Sequence, residues 1–203
     1  MLTSLLSACP SWFQPSTKVI EYDEEVKLHD GSMIWVHIKR HYGLVGGAIG
    51  DPGWRESTYM PGAVEISWDT GFPNVGRKSV FFDNLSVFDK FDNKWYLFGG
   101  IENGYQKFID NSINVSSIGT KVGSTAYLVI LNENGEFLQT HKNELSKLTQ
   151  TNILNPINIK DWGYVPEPLN GKRLTWVYKI ELQNQQPKQY QFIHNEFNME
   201  KVK

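Results

Sequence analysis

Apolar and polar residues alternate along two stretches near the start of the chain, residues 19–28 and 33–41, and the four residues between them are His29-Asp30-Gly31-Ser32. A period of two marks a strand with one covered face, and Asp-Gly between two such strands marks a hairpin. The loop length decides which side chains meet. A two-residue Asp30-Gly31 loop sets Glu25 against Val36 and Asp23 against Ile38, mixing charge with apolar surface. A three-residue loop, His29-Asp30-Gly31 with Gly31 in the left-handed position, instead sets Val26 against Ile34 and Tyr22 against Ile38. Glu24, opposite Val36, is then the one charge on the apolar face. The other face carries Glu21, Asp23, Glu25 and Lys27 against Lys39, His37, Trp35 and Met33, so acid meets base across the strands. Each such exposed pair contributes about 0.2–1 kcal/mol.

Three further hairpins follow from the same reasoning. Residues 85–91 pair with 95–98 across Asp92-Asn93-Lys94, and 126–131 pair with 136–140 across Asn132-Glu133-Asn134-Gly135. Residues 174–182 pair with 189–194 across a polar loop containing Pro187. A single short helix is expected at 142–149, where Asn143 supplies a cap and Leu145 and Leu148 stand three apart. Seven Trp, nine Tyr and eleven Phe fall largely in the strand segments, where large side chains fill the space between sheets. The expected fold is mainly β, an antiparallel meander or sandwich-like single domain with at most one short helix.

At 203 residues with 40% hydrophobic content, the chain is long enough for one core and short for two. A net charge of -2 gives no basic stripe to follow phosphates, which disfavours nucleic-acid partners. No run approaches the roughly 20 apolar residues of a membrane-spanning helix, so attachment to a membrane would require a lipid.

Leu6-Ser7-Ala8-Cys9 contains the sole cysteine and resembles the lipobox of bacterial lipoproteins, position by position. The resemblance implies that Cys9 is acylated and becomes the mature N-terminus, so it serves neither as nucleophile nor as metal ligand. On that reading residues 1–8 are a signal-peptide remnant, shorter than the apolar region of about 7–15 residues that export requires. Residues 9–17, with Pro10, Pro15 and three Ser/Thr positions, form a lipid-anchored linker, and 18–203 form the domain. The stretch Tyr22-Asp23-Glu24-Glu25-Val26-Lys27-Leu28-His29-Asp30-Gly31, followed by Ile34-Trp35-Val36, is similar to the opening of proteobacterial periplasmic lipoproteins of unassigned activity. This implies a periplasmic address, and Pro10 rather than Asp after the cysteine points to the outer membrane. A coincidental tetrad would instead leave the protein in the cytoplasm.

Site chemistry is sparse. His37 and His41 share one side of a strand but stand about 13 Å apart at ~3.3 Å per residue, too far for one ion with ~2 Å bonds. No metal and no cofactor is expected. Neither a Gly-x-Ser-x-Gly nor a Ser-x-x-Lys motif is present. Glu65, Asp69, Asp83 and Asp89 include enough carboxylates for a glycosidase pair, whose separation in space would decide the matter. Five glycines fall between Gly43 and Gly53, including Gly46 and Gly47, ahead of Trp54. They match no phosphate-binding pattern and read as a recognition loop.

The expected function is a lipid-anchored periplasmic protein that binds another protein, for instance as an immunity or inhibitor factor, with no established enzymatic role. Its contact residues are Glu21, Asp23, Glu25, Trp35 and His37 on the charged strand face, and Gly46, Gly47 and Trp54 in the glycine-rich loop. Two alternatives stand beside it. One is a carbohydrate or cell-wall binder stacking sugars on Trp54, Trp68 or Trp162, and the other is an envelope hydrolase.

Overall fold

The left-handed glycine sets the register of the first hairpin as the alternation requires. In the computed structural model, which describes residues 17–45, 58–101, 115–148, 150–154, 159–160 and 173–185, β1 (Thr17–Lys27) and β2 (Met33–Val45) pair antiparallel. Val26 faces Ile34, Tyr22 faces Ile38, Asp23 faces His37 and Glu21 faces Lys39. Gly31 has φ 85°, and the loop closes through Leu28 N–H to the Ser32 carbonyl at 2.9 Å and Gly31 N–H to the Leu28 carbonyl at 3.0 Å. An L-residue resists that dihedral, because its Cβ would crowd the following carbonyl. β1 opens at Thr17, the last residue of the expected linker.

β3 (Thr58–Asp69) pairs antiparallel with β2 on one side and with β4 (Arg77–Phe82) on the other, and a bulge interrupts β2 between Arg40 and Tyr42. The chain then crosses to a second antiparallel sheet, begun by β5 (Asn84–Phe91) and β6 (Lys94–Gly100). Asp92 and Asn93 both take positive φ, 47° and 56°, giving the two-residue turn whose twist suits a hairpin. Lys94 therefore belongs to the strand, opposite Phe91, rather than to the loop. After α1 (Val115–Ile118) come β7 (Thr120–Lys121), β8 (Ala126–Leu131) and β9 (Phe137–Leu138), with β8 beside β6. β10 (Ile159–Lys160) returns to β3 in the first sheet, and α2 (Trp176–Gln185) lies against β1.

Two apolar layers result. Between the sheets, Trp68, Phe88 and Trp95 meet at ring separations of 5.0–6.1 Å, with Tyr22, Ile38, Ile66, Leu97 and Val129 around them. The far face of the second sheet buries Val87, Tyr96, Phe98, Leu128 and Ile130 beneath Leu145 and Leu148. These two leucines belong to a 3-10 turn at Lys142–Lys147 and to its end. A bulge between Leu85 and Val87 lets Leu85 and Phe88 enter the first layer while Val87 enters the second.

Two expectations are corrected. The turn at 142–147 is capped at His141, with no side-chain cap bond, and Asn143 sits within it. Residues 174–182 do not form a strand of a hairpin: Leu174 makes a single parallel bridge to Glu24, and a helix starts two residues later. Thr175 Oγ1 accepts the Tyr178 N–H at 3.2 Å and caps the helix, and the buried contacts of Lys179 and Leu182 hold it against the strand preference of Trp176, Val177, Tyr178 and Ile180. The proposed partner strand at 189–194 lies outside the described residues, as do Cys9, Gly46, Gly47, Trp54 and Trp162.

Candidate functional site

Alternation along β1 and β2 places Glu21, Asp23, Glu25, Trp35 and His37 on the outer face of the first sheet. Of these, His37 stands at the centre. Its Nδ1 is 3.0 Å from Asp23 Oδ1 and its Nε2 is 3.6 Å from Glu21 Oε2. Lys39 Nζ lies 3.0 Å from Glu21 Oε1 and holds the Glu21 carboxyl below the usual carboxylate range. Ser67 follows His37 across β3, and the Arg77 guanidinium donates to its hydroxyl at 3.1 Å.

Trp35 is 40% exposed on this face. The Arg173 guanidinium lies 5.2 Å from its ring centroid, and Arg173 Nε is 3.5 Å from Asp23 Oδ2. Glu25 is directed elsewhere, because its carboxylate accepts the Trp176 N–H at 2.8 Å in the first turn of α2. An anion there satisfies an amide that the helix leaves open and complements the positive end of its dipole.

Behind this face, Glu24 is fully buried, as its place opposite Val36 dictates. Lys179 of α2, equally buried, donates to Glu24 Oε1 at 2.8 Å and to the Asn152 carbonyl at 2.8 Å. Leu154 N–H donates to the same carboxylate oxygen at 2.7 Å. Burial pushes the Lys179 ammonium below its ordinary value, and Glu24 opposes that shift. Two residues from Glu24 along β1, the Tyr22 hydroxyl accepts from Arg40 at 2.9 Å, and Arg40 also donates to the Leu154 carbonyl. Burial drives the Tyr22 phenol well above its usual range. Thus Asp23, Glu24 and Glu25 all grip one segment, 173–179, although their side chains leave alternate faces of the strand.

A second group of polar side chains gathers at the turn ends of both sheets. Asp89, 1% exposed, has its Oδ1 at 3.0 Å from His29 Nδ1 and accepts the N–H groups of His29 and Lys90 at 3.2 and 2.8 Å. The His29 ring stacks on Phe91 at 3.8 Å, and Phe91 meets Tyr96 edge-on at 5.5 Å. The Tyr96 hydroxyl is 3.0 Å from Glu144 Oε2 and 3.4 Å from Lys147 Nζ, and Lys147 is 3.0 Å from Glu144. A cleft of about 280 Å³ lies nearby between the turns at Asp92-Asn93 and Asn132-Glu133-Asn134.

The carboxylates weighed for glycoside hydrolysis are dispersed. Asp89 is committed to His29, Asp69 accepts the Gly71 N–H at 3.0 Å, Glu65 stands opposite Lys39 and Asp83 is buried between β4 and β5. Trp68 is fully buried between the sheets, which removes it as a sugar-stacking surface. Among the described residues, no three His, Cys, Asp or Glu side chains converge as a metal site would need, and no helix is long and apolar enough to cross a membrane.

Comparison of the chain with protein-family models, curated proteins and solved structures finds no match. The groups that pattern reading missed are Arg173, Lys179, Asn152 and the His29–Asp89 pair. Glu24 was the available signal: an acid on an apolar face requires a buried cation. Nothing in the alternation identifies which of the cations, 155 residues away in this case, supplies it.

Proposed function

We propose that the protein is a lipid-anchored envelope protein, tethered through Cys9, whose outer face of the first sheet binds a protein partner in the manner of an immunity or inhibitor factor. The observation that carries this reading is Trp35, exposed on a sheet face and braced by the Arg173 guanidinium among ordered ion pairs. Exposed Trp and Arg are the residues that most often dominate binding energy at protein interfaces. A surface whose charged side chains are already held in place also loses less conformational freedom when a partner docks.

The test compares wild-type and Trp35→Ala protein as baits in envelope extract. A partner retained by the wild type and lost by Trp35→Ala, at equal thermal stability of the two baits, supports the reading. Equal retention by both, or no partner in repeated trials, overturns it. The anchor is tested separately by palmitate labelling: the protein expressed with its upstream region incorporates label and Cys9→Ser does not, whereas unlabelled wild type refutes the lipid attachment.

A further inference from the structure

We propose that α2 is a clasp, keyed by the buried Lys179–Glu24 ion pair, whose seating controls the Trp35 surface. This inference rests on the reading of Trp35 as the contact surface and names how that surface is regulated. When the clasp is seated, Arg173 lies over Trp35 and beside Asp23. When it is unseated, the cation leaves the aromatic face and Asp23.

The segment is attached to β1 by polar contacts and by Leu174 and Leu182, which join the core between the sheets, with Tyr178 packed against it. Leu174 exchanges backbone hydrogen bonds with the Asp23 carbonyl and the Glu25 N–H, both at 2.8 Å. Trp176 N–H donates to the Glu25 carboxylate, and Lys179 is inserted fully beneath the strand to reach Glu24. Of the helix's own apolar side chains only Leu182 is buried with Lys179, and Val177 is 65% exposed. A ten-residue helix has little stability by itself, so the segment holds its shape only while docked.

An ion pair of this kind gives an all-or-none attachment. Removing one partner leaves the other charged, buried and without its counter-ion, whereas replacing both with apolar groups removes the buried charge and leaves only the Leu154 N–H and the Asn152 carbonyl without their partners. The two faces of β1 are thereby linked: Glu24 reads the helix from inside, and Asp23 with Arg173 reports its seating on the outside. A partner that prefers one arrangement of Arg173 must shift the clasp by the same free energy with which the clasp shifts partner affinity.

The experiment is amide hydrogen exchange on the full chain for wild type, Lys179→Met and the double variant Glu24→Leu/Lys179→Met, without any partner. Lys179→Met is expected to speed exchange across residues 173–185 by about a hundredfold or more, leaving the amides of β6 and β8 protected. The double variant is expected to regain part of that protection, because it removes the buried charge but not the need of the Leu154 N–H and the Asn152 carbonyl for partners. Unchanged exchange at 173–185 in Lys179→Met, loss of protection throughout both sheets, or a double variant no better protected at 173–185 than Lys179→Met would each overturn the clasp. Because no partner is involved, these results are separable from the pull-down: a failed pull-down with the expected exchange pattern removes the contact-surface reading alone.

Discussion

Replacing Asn152 with Ala is expected to remove a large share of the protein's stability, although the side chain is small and belongs to no strand or helix. Asn152 is fully buried. Its Oδ1 accepts the Phe88 N–H at 2.9 Å, and its Nδ2 donates to the carbonyls of Phe88 at 2.7 Å and Lys27 at 3.0 Å. The backbone N–H of Asn152 donates to the Ser86 carbonyl at 3.1 Å, at the bulge in β5. One amide thus joins the end of β1 to the middle of β5. Truncation deletes three hydrogen bonds worth about 1 kcal/mol each and strands three backbone groups that cost about 1–3 kcal/mol apiece when buried unpaired. A water entering the vacated space would offset part of that cost. The net loss is expected at about 3–5 kcal/mol, against a total stability of about 5–15 kcal/mol. In urea, with a slope near ~2–3 kcal/mol/M, the midpoint should fall by about 1.5 M. Asn152→Asp provides a control: it keeps the acceptor for Phe88 N–H but directs an anion at two carbonyl oxygens, so it should be no more stable than Ala at neutral pH. It should regain stability as acid protonates the new carboxyl and restores a donor. A midpoint shift below about 0.4 M for Asn152→Ala would refute the assignment of this side chain as the link between the sheets.

Gly31→Val tests the hairpin. Nothing lies within 4 Å of a Cβ built at Gly31, so the cost comes from φ 85° alone, about 1–2 kcal/mol, and the thermal midpoint should drop by several degrees. An unchanged midpoint would remove the turn as the element that sets the register. The Glu144–Lys147 pair predicts a protection plateau for the 142–147 turn. The Lys147 hydrogen bond lowers the Glu144 carboxyl from 4.5, so this contribution is complete above 4.5 and lost as pH falls through the depressed value. Glu144 raises the Lys147 ammonium from 10.5, so that contribution is complete below 10.5 and lost as pH rises through the raised value. Exchange protection factors for 142–147 should therefore fall at both extremes, and Glu144→Gln should abolish the acid limb and weaken the alkaline one, where the Tyr96 hydroxyl still holds the Lys147 ammonium. An acid limb that persists in Glu144→Gln, or an alkaline limb of undiminished size, would show that other groups govern it.

Where structure is local, the sequence carries it. The register of β1 with β2 followed from one requirement, that charge and apolar residues occupy separate faces, and Gly31 satisfied it. The hairpins at 84–100 and 126–138 followed from Asp-Asn and Asn-Gly turns between alternating segments. The segment at 174–182 misled because Trp, Val, Tyr and Ile favour strands, while the Thr175 cap and the Lys179–Leu182 spacing are weaker signals than the tertiary contacts they serve. The outer-face cluster of Glu21, Asp23, Trp35 and His37 was legible because it lies within one hairpin. Arg173, which completes it, was not, since its place depends on a contact 150 residues distant in the chain. Trp68 looked like a surface residue beside a turn, yet alternation along β3 turns it inward.

The bulged carbonyl of Ser86 has a consequence for the order of folding. The β1–β2, β5–β6 and β8–β9 hairpins close over five residues or fewer, whereas the segment that docks on Ser86 joins groups 64 residues apart at Phe88 and 125 apart at Lys27. Closing long loops is slow and is rewarded only when the final contacts form. The hairpins should consequently assemble first, with residues 150–154 and 173–185 added after the rate-limiting barrier. Asn152→Ala should then leave the refolding rate nearly unchanged and accelerate unfolding, placing the defect on the native side of the transition state. The last segments to arrive would also be the first to leave, so the Asn152 amide and the Lys179–Glu24 pair bear on the chain's lifetime more than on its speed of assembly.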